Sequence, residues 1–143
     1  MGIRNPALDK LDIFIGKWIN HGHVVGTDEE ILTSDVYEWL PGRQFVLHTA
    51  YGRVGARDVG GVELIGYDTA AEIFISHLFT DGGEMRQSKL TFDGEHTCTW
   101  RAKETGCTAE FSDDGMVQTA HHVRLDEHGE WVPSMEVVLR KVR

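Results

Sequence analysis

With 143 residues and a mass of 16.1 kDa, the chain can bury one hydrophobic core but not two, so residues 1–143 read as a single domain. Its 41% hydrophobic and 26% charged residues describe a folded protein rather than a disordered one. Lys and Arg number 14 against 23 Asp and Glu, a net charge of -9, which removes the electrostatic footprint that phosphate backbones or anionic lipid require; neither nucleic acid nor a membrane is an expected partner.

The start, Met1-Gly2-Ile3-Arg4-Asn5-Pro6, has no apolar stretch of signal-peptide length, and Pro6 stands where a myristoylation motif wants Ser or Thr. Asn5 before Pro6 is an N-cap with proline in the first helical position, and Leu8, Leu11 and Ile15 follow at near-helical spacing, which predicts a short helix near residues 6–12. After Gly16 the pattern changes to short β-rich runs broken by Gly, Asp and Asn. Strands are expected at about 17–25, 32–40, 44–53, 60–67, 73–80, 84–92, 95–103, 107–112, 116–125 and 132–142. Hairpin-length connections and the lack of a second strong helical period predict an antiparallel up-and-down meander, which escapes exposed edges by closing into a barrel. No segment approaches the ~18 apolar residues of a membrane-spanning helix. Cys98 and Cys107 are too few for a secreted disulfide framework and too far apart for a CxxC element, which predicts two free thiols in a reduced, cytoplasmic protein.

Gly16-Lys17-Trp18, after a short helix and at the first strand, resembles the G-x-W opening of lipocalin-like (calycin) barrels. Tyr37-Glu38-Trp39-Leu40-Pro41-Gly42, Ile65-Gly66-Tyr67-Asp68, Ser76-His77-Leu78-Phe79-Thr80-Asp81 and Ser112-Asp113-Asp114-Gly115 extend the likeness over nearly the whole chain, to bacterial lipocalin-like domains of unknown function. The resemblance implies an all-β barrel of about ten strands. It also implies that Trp18 is a structural anchor covered by a basic residue of the last strand, which here is Lys141 where an arginine is more usual. A related barrel family holds haem through a histidine near its C-terminus, but that motif is not matched at His121 or His122, and no cofactor is expected.

In an antiparallel hairpin a two-residue turn makes even positions face odd ones. Asp81-Gly82, Asp93-Gly94, Thr105-Gly106, Asp114-Gly115 and His128-Gly129 are the candidate turns. Starting from Met135, Val137, Leu139 and Lys141, the inward set becomes Met116, Gln118, Ala120 and His122, then Cys107, Ala109 and Phe111, then Cys98, Trp100 and Ala102. At Asp93-Gly94 a three-residue loop with a glycine bulge would change the parity. Strict alternation sends Met85, Gln87, Lys89, Phe74, Ser76 and Leu78 inward. The bulge sends Arg86, Ser88, Leu90, Phe92, Ile73, Ile75, His77 and Phe79 inward instead, with His77 opposite Arg86. The second set is the more apolar and is favoured.

His21-Gly22-His23 has a spacing that metal sites use, but Trp18 has the opposite parity, so both histidines should face out, and no metal is expected. Trp39, Trp100, Phe45 and Phe111 are expected in the core. There is no G-x-S-x-G elbow and no phosphate-binding glycine motif, so no catalytic residue is assigned. The leading expectation is a carrier or sensor that takes a small apolar or amphipathic molecule in its cavity, with His122, Gln118, Trp100, Phe111, His77 and Arg86 as ligand-binding residues. One alternative is an isomerase or cyclase using an interior histidine, with Arg86 holding a carboxylate or enolate. Another is a filled barrel with a structural or interaction role. A homodimer is left open.

Overall fold

The computed structural model describes residues 3–143; Met1 and Gly2, part of the stretch read for targeting signals, lie outside the described residues. The first element, Pro6–Phe14, is a 3-10 helix capped by the Asn5 side chain, which accepts from the Ala7 N–H at 2.9 Å. A period of three residues stacks side chains at i, i+3 and i+6 on one face, so Leu8, Leu11 and Phe14 are buried together. Phe14 thereby takes the place that an α-helical spacing would have given Ile15.

Ten strands follow: β1 Gly16–Val24, β2 Glu30–Trp39, β3 Val46–Val54, β4 Arg57–Asp68, β5 Ile73–Thr80, β6 Met85–Asp93, β7 Thr97–Arg101, β8 Thr105–Phe111, β9 Val117–Leu125 and β10 Trp131–Lys141. Each pairs antiparallel with its neighbours in the chain, and β1 pairs with β10 to close a lipocalin-like barrel with no open edge. Among the described residues no helix is long and apolar enough to cross a membrane.

The predicted inward face of β7 to β10 is the face that lines the interior: Trp100 pairs with Cys107, Cys107 with His122, and His122 with Met135. Two departures cancel along the way. The β9–β10 connection carries three residues between the bonded pair Asp126 and Glu130, with Gly129 at φ 75°, and this changes the parity; a bulge between Pro133 and Met135 changes it back. The β7–β8 turn sits at Lys103-Glu104, not Thr105-Gly106, with the same parity, because the Ala102 N–H donates to the Thr105 carbonyl.

The β5 expectation needs correction. The glycine bulge expected at Asp93-Gly94 is present: Asp93 pairs with Thr97, Gly94 has φ 75°, and Arg86, Ser88, Leu90 and Phe92 share the inner face. The β5–β6 connection is a second loop of the same kind, with Gly83 at φ 84°, where a two-residue Asp81-Gly82 turn was expected. It reverses the parity again, so Phe74, Ser76 and Leu78 face in, while Ile73, Ile75, His77 and Phe79 face out. His77 therefore pairs with Gln87 and is exposed, and Leu78 is the residue opposite Arg86. Phe45 also differs from expectation: it lies outside at 51% exposure, over Gly66, where an added Cβ would come within 2.6 Å of its ring.

One end of the barrel is closed by packing. Phe14 stacks on Tyr37 at 5.4 Å between ring centroids and meets Trp100 and Phe111 at 5.4 and 5.6 Å. Trp18, fully buried, donates its indole N–H to the Phe14 carbonyl at 2.8 Å, and the Lys141 ammonium lies 5.5 Å from its ring centroid. The helix is tied to the wall by Trp39, half-buried, which donates to Asp12 at 2.9 Å and carries the Arg4 and Arg43 guanidinium groups over its ring.

Trp18→Ala should remove both the aromatic contact and the bond to the helix, lowering stability by about 3–5 kcal/mol. Lys141→Met, which keeps an apolar stem over the indole, should cost far less. Urea titration of both variants measures the difference, and a loss under about 1 kcal/mol for Trp18→Ala would show that the indole anchors nothing.

Candidate functional site

Above the aromatic plug the barrel encloses a cavity of about 500 Å³. It opens at the end formed by the β1–β2, β3–β4, β5–β6, β7–β8 and β9–β10 connections, where Arg57, Arg86, Thr105 and Ser134 lie on its rim. Its β7–β10 wall is mainly apolar: Trp100, Ala109, Ala120, Val137 and Leu139, with Gln118, Cys107 and His122 between them.

The β1–β5 wall is different. Asp35 and Glu63 are 6% and 7% exposed, and His48 lies between them. Its Nδ1 is 2.7 Å from Glu63 Oε1, and its Nε2 is 3.1 Å from Asp35 Oδ1, close enough for charge pairing though not aligned as a hydrogen bond. Asn20 donates through Nδ2 to Thr33 Oγ1 at 2.8 Å and to Asp35 Oδ2 at 2.9 Å, while Ser76 donates to Glu63 Oε2. The Tyr37 ring stacks on the His48 imidazole, with centroids 3.9 Å apart and planes 10° from parallel. Burial alone would depress the His48 pKa, but contacts with Asp35 and Glu63 and the charges of both outweigh it and hold the imidazole up to about 9. His48 is thus an imidazolium at neutral pH, with no lone pair for base catalysis. Burial, then the charges of Asp35 and Glu63, push the Tyr37 phenol well above its ordinary value.

His122 titrates the other way. Burial lowers its pKa, and the charges of Glu136 and Asp35 only partly oppose this. Its Nε2 lies 3.6 Å from Cys107 Sγ, and burial, then Glu63, pushes that thiol up to about 12. Both cysteines are free, and since Cys98 faces Ala109 and Cys107 faces Trp100 they are not cross-strand partners. His121 points outward to Glu136 at 2.5 Å.

The expected ligand residues therefore separate. His122, Gln118, Trp100 and Arg86 line the cavity. Phe111 faces inward but belongs to the plug, against Phe14 and Trp18. His77 lies outside the barrel. Arg86 pairs at the mouth with Glu84 at 3.1 Å rather than with a histidine. The polar belt of Asn20, Asp35, His48, Glu63 and Ser76 was missed. Its signal was a carboxylate in phase with apolar inward residues, Asp35 with Ile31 and Tyr37 and Glu63 with Val59 and Ile65, where a solvated strand would have turned it out. Four buried polar atoms of cavity-lining residues have no hydrogen-bond partner among the described residues: Asn20 Oδ1, Trp100 Nε1, Gln118 Nε2 and His48 Nε2, the last within charge-pairing distance of Asp35. His21 and His23 are exposed, and no cluster of three or more His, Cys, Asp or Glu among the described residues is arranged to hold a metal ion.

No protein-family model and no curated protein matches this sequence. Among solved structures the barrel is similar to Rv2717c from M. tuberculosis, with a TM-score of 0.70 and 15% identity over 99% of this chain and 100% of that one. It is also similar to the S-type phycobiliprotein lyase CPES from Guillardia theta, with a TM-score of 0.66 and 10% identity over 98% of this chain and 94% of that one. A third likeness is to a de novo designed fluorescence-activating β-barrel, with a TM-score of 0.50 and 12% identity over 94% of this chain and 98% of that one. At these identities the likeness is one of fold.

The two interior histidines give stability opposite dependences on pH. His48, raised from 6.5 to about 9 when folded, contributes fully below pH 6.5 and loses its contribution as pH climbs through about 9. The loss should be on the order of 3 kcal/mol. His122, lowered when folded, opposes folding as pH falls below its ordinary 6.5. Urea denaturation from pH 5 to about 8.5 should show a maximum near neutrality, and His48→Gln should flatten the alkaline limb alone; the range stops short of pH 9, above which the buried Cys107 and Cys98 thiols and then Tyr37 add a loss of their own. An alkaline limb that survives His48→Gln would assign it to another group.

Proposed function

We propose that this protein is a cytoplasmic carrier or sensor that holds one small apolar or amphipathic molecule inside its barrel, and that it belongs with the bacterial lipocalin-like domains its sequence resembles. The observation that carries the reading is the cavity of about 500 Å³, within the range of small-molecule sites, lined by apolar side chains and by buried polar atoms that lack partners. An unpaired buried donor or acceptor costs free energy, and a ligand's polar group offsets that cost where the chain itself does not. The likeness in fold to a phycobiliprotein lyase and to a designed fluorescence-activating barrel is consistent with a barrel interior used for a small molecule. A barrel filled by its own side chains would have no such volume. The ligand residues in this reading are His122, Gln118, Trp100 and Arg86, joined by Asn20 and the carboxylates of the belt.

Native mass spectrometry of the purified protein should show a bound small molecule, or room for one that a hydrophobic dye such as Nile red fills. His122→Phe should weaken dye binding severalfold, while His121→Phe, which changes only the outer face, should leave it unchanged. Equal effects of the two substitutions would remove His122 from the site, and failure of the dye to bind at all would end the carrier reading.

A further inference from the structure

The interior charge is unbalanced. Deep in the cavity Asp35 and Glu63 share a single imidazolium, His48, so two formal negative charges meet one positive charge. Among the described residues, no other group that could supply a cation pairs with either carboxylate. His122 is held towards its neutral form by burial, Arg86 pairs with Glu84 at the rim, and Arg57 is exposed at the mouth. An uncompensated charge in a mainly apolar cavity is unfavourable unless an opposite charge or a proton joins it.

The polar geometry beside this charge asks for a donor. Asn20 is 3% exposed and sends both hydrogen bonds of its Nδ2 to β2, to Thr33 and Asp35, which turns its carbonyl away from β2. That Oδ1 atom has no partner among the described residues. It can only accept, so whatever satisfies it must bring an N–H or O–H. A recess of about 220 Å³ adjoins the cavity and shares Thr33, His48 and Glu63 with it. The charged groups on its walls are Glu63, Asp81 and the engaged His48, with no Lys or Arg among its lining residues.

Resting on the small-molecule reading above, we infer that the ligand is an apolar molecule whose polar end is a positively charged amine, seated against Asp35 and Glu63 with an N–H donated to Asn20 Oδ1. The ammonium supplies the missing charge and the missing donor together, and the apolar body lies along the Trp100–Leu139 wall. Charge-assisted bonds from an ammonium to carboxylates are stronger than the neutral bonds an alcohol would make. A carboxylate end placed at this depth would add to the excess negative charge.

The test is a displacement series on the wild-type protein with Nile red, which is uncharged, as reporter. The competitors are 1-naphthylmethylamine, 1-naphthalenemethanol and 1-naphthoate, which keep one ring system and change only the end group. The amine should displace the dye at a concentration about tenfold below that of the alcohol, with the carboxylate weakest. Displacement led by the carboxylate, equal displacement by all three, or none by the amine overturns the inference while dye binding keeps the cavity reading intact. A protein that takes up no dye loses both. Glu63→Gln removes the excess charge, so the amine's advantage over the alcohol should disappear, the ratio of the two competitors rather than either alone being the readout. Asp35→Asn is the parallel variant, and the wild-type ranking decides the matter if neither folds.

Discussion

Closure is the constraint on which everything else in this fold rests. Once β1 pairs with β10, each of ten strands must offer one face to a shared interior, and the number of residues in each connection decides which face that is. A two- or four-residue connection keeps even positions facing odd ones; a three-residue connection with a glycine in the left-handed region reverses the relation. Gly83 and Gly94, at φ 84° and 75°, are such switches on either side of β6. Together they bring Arg86 and Ser88 into the cavity and leave Ile73, Ile75 and Phe79 on the outer surface. The barrel thus tolerates an apolar outer face on β5 because the phase of β6 and β7 is fixed by their own core residues, Leu90 and Cys98.

The polar belt depends on the same phase. Asp35, His48 and Glu63 are adjacent only because β2, β3 and β4 run in an unbroken register, which puts Tyr37 opposite His48 and His48 opposite Glu63. A buried group of this kind is favourable only when every partner is in place. Ser76 and Asn20 extend it from the two flanking strands, β5 and β1, and the acceptor left open among the described residues, Asn20 Oδ1, is the position at which a ligand would finish it. The belt thereby fixes the register of the five strands that carry it, while the cavity wall from β7 to β10 relies on apolar alternation.

The architecture was legible in the sequence because turn chemistry and period-two patterning are local properties. Asn5-Pro6 marked the helix start, the G-x-W opening marked Trp18, and the alternation from Cys98 to Leu139 gave the lining of four strands. What failed was whatever depends on counting through a loop. Asp81-Gly82-Gly83 offers two glycines, and only the backbone conformation tells which one takes the left-handed turn, so His77 was assigned to the wrong face. The helix type was hidden for a related reason: Leu8, Leu11 and Phe14 fit a period of three as well as Leu8, Leu11 and Ile15 fit one of 3.6, and the plug decides between them. The belt escaped notice because an isolated carboxylate in a strand normally signals solvent, and its histidine partner lies on a different strand.

The pairing of Trp18 with Lys141 joins opposite ends of the described chain, and this sets the order in which the molecule can be built. As the polypeptide leaves the ribosome, β1 can pair with β2 at once, but its other edge has no partner until β10 emerges. The N-terminal helix has no finished floor to seal until β7 and β8 supply Trp100 and Phe111. Contacts so distant along the chain require a long loop to close before they contribute, which slows folding relative to a helical protein of equal size. Until that moment the nascent chain is an open sheet with two unpaired edges, the state most prone to pair with its neighbours.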